Sequence, residues 1–197
     1  MKKILVIVAL AMSSFANAQK GSVLVMGSFG YNSIKRSNIP GDNKYNTFSF
    51  SPKVGYQFHE NWTTGIESGM SIVKDEVPNS YYNKTNAFTI GGFLRYTKTL
   101  NQTFSAYADL GLGYQNTKST YNNEVVNVNR IDKGNGFYTH LTPAIFINVH
   151  NGFGLNFNIG GIEYGSLNYD GDSGSNSAKN FNITFGQAFS VGISKNF

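Results

Sequence analysis

From Asn180 to Phe197 the sequence alternates with a period of two. Phe181, Ile183, Phe185, Phe189, Val191, Ile193 and Phe197 hold odd positions, interrupted by Gln187 and Lys195. Asn182, Thr184, Gly186, Ala188, Ser190, Gly192, Ser194 and Asn196 hold the even ones. Such a period is a β-strand with two unlike faces. A soluble strand carries long charged residues on its wet face. Here the second face is small and uncharged. That suits the crowded interior of a narrow barrel, with the bulky apolar row turned to lipid. A tilted strand crosses the hydrocarbon in about 9–11 residues. Counted back from Phe197 at the inner rim, that span ends near Gln187 at the outer rim. Lys195 lies close enough to the inner end to reach headgroups along its stem. The stretch predicts a transmembrane strand that closes a barrel.

The same rhythm recurs along the chain. Strands are predicted at 21–32, 47–58, 62–74, 87–98, 103–116, 136–149, 153–167 and 180–197. In the first, Val23, Val25, Phe29 and Tyr31 compete with Leu24 and Met26, so its phase stays open. Pro52 cannot donate to a ladder and predicts a local bulge. Gly160-Gly161, where the apolar phase slips from Ile159 to Ile162, predicts another. Short turns at 59–61, 100–102 and 150–152 alternate with long polar loops at 33–46, 75–86, 117–135 and 168–179. Short turns on one side and long loops on the other are the outer-membrane pattern, with the short side periplasmic. An even strand count puts both termini on that side. Outward aromatics near strand ends (Tyr31, Tyr56, Phe58, Trp62, Tyr96, Tyr114, Tyr164 and Phe197) fit interfacial girdles. The fold class expected is all-β: an eight-stranded antiparallel up-and-down transmembrane β-barrel.

Residues 1–18 read as a cleaved secretory signal peptide. Lys2 and Lys3 precede an apolar run from Ile4 to Met12, and Ala16-Asn17-Ala18 is an A-x-A cleavage site. The run is too short to span a membrane as a helix. The barrel domain is then 19–197. Cysteine is absent, which excludes disulfides, thiolate metal sites, cysteine nucleophiles and a lipidated cysteine. Without Lys2 and Lys3, fourteen of the sixteen Lys and Arg remain against eleven Asp and Glu. The scattered charges lack the clusters of a nucleic-acid footprint.

Four charges fall on the inward phase of consecutive strands: Lys53, Glu67, Arg95 and Asp109. Charges in a narrow interior are paired or cost several kcal/mol. A lumenal ion-pair network is expected, structural in role, with a gated ion path as its alternative. Phe93, Tyr107, Tyr138 and Phe146 help to fill the bore. The inward charge also argues against a soluble lipocalin-like barrel, whose cavity is apolar. His140 and Thr142 share an inward face, an arrangement similar to the histidine–serine pair of barrel lipid A acyl hydrolases. No serine follows His140 by two, and His59 and His150 fall in predicted turns, so an enzyme is the least favoured class. Asp170-Gly171-Asp172 lacks the remaining ligands of a calcium loop. No metal or cofactor is implied.

Pro52-Lys53-Val54-Gly55-Tyr56 precedes a short turn and then Trp62 and Gly65. With Phe93-Leu94-Arg95-Tyr96 and the final Phe197, these segments resemble the outer-membrane β-barrel domain families common in Bacteroidetes. More broadly they resemble small OmpX/OmpA-type barrels. The resemblance spans the mature chain. It implies an outer-membrane location and a role for Phe197 in the C-terminal signal read by the barrel-assembly machinery. Binding is expected in the external loops, with Lys35, Arg36, Tyr45, Tyr81, Tyr82 and Tyr121 as candidate contacts. Tyrosine is favoured at recognition surfaces, and basic residues suit lipopolysaccharide phosphates. The expected function is non-enzymatic: envelope integrity or adhesion to an extracellular or host ligand, with a narrow channel as the alternative.

Overall fold

The computed structural model describes residues 21–37, 42–78, 80–172 and 174–197, apart from the side chains of 187–190. The expected signal peptide and residues 38–41 of the expected 33–46 loop lie outside the described residues. Eight antiparallel strands follow one another around a closed barrel: β1 (Val23–Arg36), β2 (Asn43–His59), β3 (Trp62–Val77), β4 (Tyr81–Thr99), β5 (Phe104–Asn123), β6 (Val128–His150), β7 (Phe153–Gly171) and β8 (Asn176–Asn196). The ring closes where Leu24–Gly27 pair with Asn196–Ile193. Val23 and Phe197 extend that seam by exchanging backbone hydrogen bonds of 3.2 and 3.1 Å.

The alternation reads directly onto the wall. Phe29, Ile66, Leu112, Phe137, Ile162, Phe181 and Val191 stand exposed on the outside, while Leu24, Phe93 and Tyr107 are buried within. This is an inverted protein, greasy outside and polar inside, as a lipid solvent requires. In β1 the odd residues Phe29 and Tyr31 take the outside, and Leu24 turns in. The short turn expected at 150–152 forms: Asn151 (φ 44°) and Gly152 (φ 76°) turn β6 into β7 with both residues left-handed.

Three expectations are revised or refined by the structure. First, the long loops are mostly strand. Pairing of β4 with β5 runs on to Tyr81↔Asn123, and β5 with β6 to Asn123↔Val128. Outside the lipid both faces of a strand meet water, so the apolar alternation stops while the ladder continues. The 124–127 connection is a tight hairpin, and the strands reach 14 to 23 residues. Second, no bulge forms at Pro52. It faces Gly27 in unbroken register on β1, and the β2–β3 register is the same on either side of it. The irregularity lies instead between Gln57 and His59, beside the turn. Third, the bulge at Gly160 is present. The β7–β8 register shifts between Asn158 and Gly160, and Gly160 has φ 115°.

Candidate functional site

The bore is crossed by one connected set of side chains in two tiers. Nearest the termini, Arg95 on β4 faces Asp109 on β5 as a direct cross-strand pair. Its Nε donates to Asp109 Oδ1 at 2.6 Å and its Nη2 to Oδ2 at 2.9 Å, a bidentate fork. The guanidinium lies over the Tyr107 ring, 3.7 Å from its centroid, and Nη2 meets Met26 Sδ of β1 at 3.2 Å. Lys53 then links the tiers. From β2 its Nζ reaches across the bore to Asp109 Oδ2 at 3.1 Å, and it lies 2.8 Å from Glu67 Oε2 on β3. Lys53 and Glu67 are also direct cross-strand neighbours, so this ion pair is set by the β2–β3 register.

In the second tier Glu67 Oε1 accepts from Tyr138 Oη at 2.9 Å and lies 2.8 Å from His140 Nε2. His140 Nδ1 sits 3.0 Å from Thr142 Oγ1. Glycine makes this tier possible. A Cβ at Gly111, opposite His140 in register, would stand 2.2 Å from His140 Nε2 and 2.5 Å from Glu67 Oε1. Glu67, Arg95 and Asp109 are 5, 5 and 2 % exposed, so the tiers form a plug. Beyond it a cavity of about 370 Å³ is lined by Glu67, Tyr138, His140, Glu163 and Asn180 among others.

The structure thus brings together all four charges expected in the lumen and joins to them Tyr138, His140 and Thr142, already expected on the inward face. Tyr138 and His140 lie on the inward parity of β6, and that parity was the available signal. Glu163 faces the same cavity. Its parity is masked by the β7 slip, and no motif marks it.

The candidate contact residues sit on strands rather than in loops. Lys35 and Arg36 end β1, Tyr45 is on β2, Tyr81 and Tyr82 open β4, and Tyr121 is near the end of β5. Lys35 pairs with Asp42 at 2.6 Å, and Lys44 lies 3.9 Å from Glu76. Arg36, Tyr45 and Tyr81 share one recess of about 340 Å³ with Ile34, Asn43 and Asp75, at the barrel end opposite the termini. Asn43 Nδ2 donates to Asp75 Oδ1 at 3.0 Å and to Tyr81 Oη at 3.1 Å, and Tyr81 Oη donates to Asp75 at 3.2 Å. Burial first, then the Asp75 carboxylate, pushes the Tyr81 phenol above its ordinary range. Phe197 is exposed on the outer wall at the closing seam.

A closed up-and-down barrel with an apolar exterior and a charged, plugged interior is the architecture of a small transmembrane barrel. The family model for the outer membrane protein beta-barrel domain matches residues 4–195. The chain belongs to that family, and its location is the outer membrane. Among solved structures it is similar to a major outer membrane protein from Thermus thermophilus. The two are 11% identical over 90% of this chain and 99% of that one, with a TM-score of 0.57. It is also similar to Ail, the attachment invasion locus protein of Yersinia pestis, at 14% identity over 90% of this chain and 97% of that one, with a TM-score of 0.48. A search of curated proteins finds no match.

Proposed function

We propose that this chain is a non-enzymatic surface protein that recognises an extracellular ligand through the hairpin end of its barrel. The barrel acts as a rigid anchor. The end bearing the termini and short turns is assigned to the periplasm, and the extended hairpins to the exterior. One observation carries the reading. Arg36, Tyr45 and Tyr81, from three strands, line a single recess at the hairpin end, on backbone that the sheet holds in place. Aromatic and arginine side chains on a preordered scaffold bind with little ordering cost. The plug in the bore supports this over a channel. An adhesion role follows, with the ligand presented by another cell or a host surface.

The test is binding of the folded barrel, held in lipid vesicles, to panels of glycans and matrix proteins. The wild type is expected to select a ligand. Tyr45→Ala/Tyr81→Ala should weaken that binding at least about tenfold, the loss of two central aromatic contacts, with the gel migration of the folded form intact. Equal binding by both proteins, or no selection by the wild type, defeats the proposal.

A further inference from the structure

Beyond the apolar band, the outer wall carries a row of lysines. Lys74 on β3 stands directly opposite Lys84 on β4, and Lys118 on β5 directly opposite Lys133 on β6. Lys84 faces Thr120, so Lys118, two residues before Thr120, is its diagonal neighbour. The row therefore crosses four consecutive strands without a break. Its side chains point outward. Met70↔Phe88 and Tyr114↔Phe137 lie four residues nearer the termini on the same strands, hence on the same face, and all four are exposed on the lipid side.

Height follows from strand geometry. Four residues at about 3.4 Å each, tilted about 40°, lift the row about 10 Å past those apolar pairs. That is headgroup depth.

The row is not ion-paired within the described chain. Like charges directly opposite one another destabilise a strand pair. No salt bridge reaches Lys74, Lys84, Lys118 or Lys133 among the described residues. The flanking carboxylates are turned elsewhere: Glu76 to Lys44 at 3.9 Å, and Asp170, opposite Lys133, to the Ser175 hydroxyl at 3.1 Å. Two juxtaposed lysine pairs on a rigid sheet at headgroup height leave positive charge available to an anion from outside the chain.

We infer that Lys74, Lys84, Lys118 and Lys133 form a binding surface for the phosphate groups of outer-leaflet glycolipid. Each opposed pair has its Cβ atoms about 5 Å apart, so two ammonium groups can close on one phosphate from either side. A phosphate monoester carries close to two negative charges and matches such a pair. The row faces sideways, continuous with the lipid wall, and not into the mouth of the barrel. That orientation selects a membrane lipid over a soluble polyanion. The inference stands on the outer-membrane location and is independent of what the Arg36–Tyr45–Tyr81 recess binds.

The experiment places the full folded chain in three vesicle types: phosphatidylcholine alone, with bisphosphorylated lipid A, and with dephosphorylated lipid A. The readout is the temperature at which gel migration switches from folded to unfolded. Wild type is expected to gain several degrees from bisphosphorylated lipid A alone. Lys118→Gln/Lys133→Gln should lose that gain yet melt no lower than wild type in phosphatidylcholine, because the substitution also removes repulsion. Lys118→Arg/Lys133→Arg should keep it. An equal gain by the glutamine variant overturns the inference, as does an equal gain by wild type from the dephosphorylated lipid. Stabilisation by soluble heparin in phosphatidylcholine vesicles, with none from lipid A, assigns the surface to a polyanion and also overturns it.

Discussion

Asp109 meets two cations at once, Arg95 through both oxygens and Lys53 through Oδ2. A buried charge left without its partner is costly. Asp109→Asn strips countercharge from Arg95, whose surroundings otherwise offer a tyrosine ring and a methionine sulfur. The expected loss is about 3–5 kcal/mol, read as the urea midpoint of the barrel in vesicles. Arg95→Met/Asp109→Leu removes both charges and should lose less than Asp109→Asn, since Lys53 keeps Glu67. A double variant weaker than the single one contradicts the pairing. In the second tier, Gly111→Ala thrusts a methyl onto His140 Nε2 and Glu67 Oε1. It should cost about 1–3 kcal/mol as overpacking, by the same midpoint. The lumenal four were legible because parity alone assigns a side chain to the bore. Their partners were not, since parity does not say which side chains meet across the bore. His140 reaches Glu67 from β6 to β3, a contact set by the circumference of the ring.

At the level of strands, the sequence marked each one by its lipid-crossing segment and lost it where the lipid ended. Hydrophobic alternation reports the solvent on each face, not the hydrogen-bond ladder. Between Thr117 and Asn135 the strands run past the apolar band, so a polar stretch that reads as loop is paired strand on either side of the 124–127 turn. Hydrogen exchange separates the two. Amides from Thr117 to Thr120 and from Ile131 to Gly134 are expected to exchange far more slowly than those of Val125 and Val126 at the tip. Uniform fast exchange across 117–135 restores the loop. Gly160 makes a second test at this scale. Its φ of 115° and the Thr184 carbonyl, 2.1 Å from a would-be Cβ, exclude a side chain. Gly160→Val should destabilise by more than about 1 kcal/mol, in the same unfolding assay. The slip at Gly160-Gly161 was visible in sequence because the apolar parity changes there. Pro52 misled because its parity is outward and unbroken, and a proline without a β3 ladder partner at its own position fits without a register change.

For the barrel as a whole, eight strands leave a bore that side chains can fill, and the two tiers fill it from β1 to β6. Phe93 and Tyr107 are buried beside Arg95, and both lie under its guanidinium or beside it at 5.9 and 3.7 Å to their ring centroids. A hydrated ion passing this level must displace a stacked, bidentate pair. The wild-type chain in a planar bilayer is therefore expected to show no lasting openings. Arg95→Ala/Tyr107→Ala takes out the stacked pair and leaves Glu67, Asp109 and Glu163 facing Lys53 alone among the lumenal charges named above. Three carboxylates against one ammonium favour cations, so the variant should leak in brief, small, cation-selective events. The direction of selectivity is the sharper measurement, because any loosened barrel can leak while an anionic lumen fixes the sign. Anion-selective leakage means the carboxylates do not line the opened path, and large steady wild-type currents mean the tiers do not seal it.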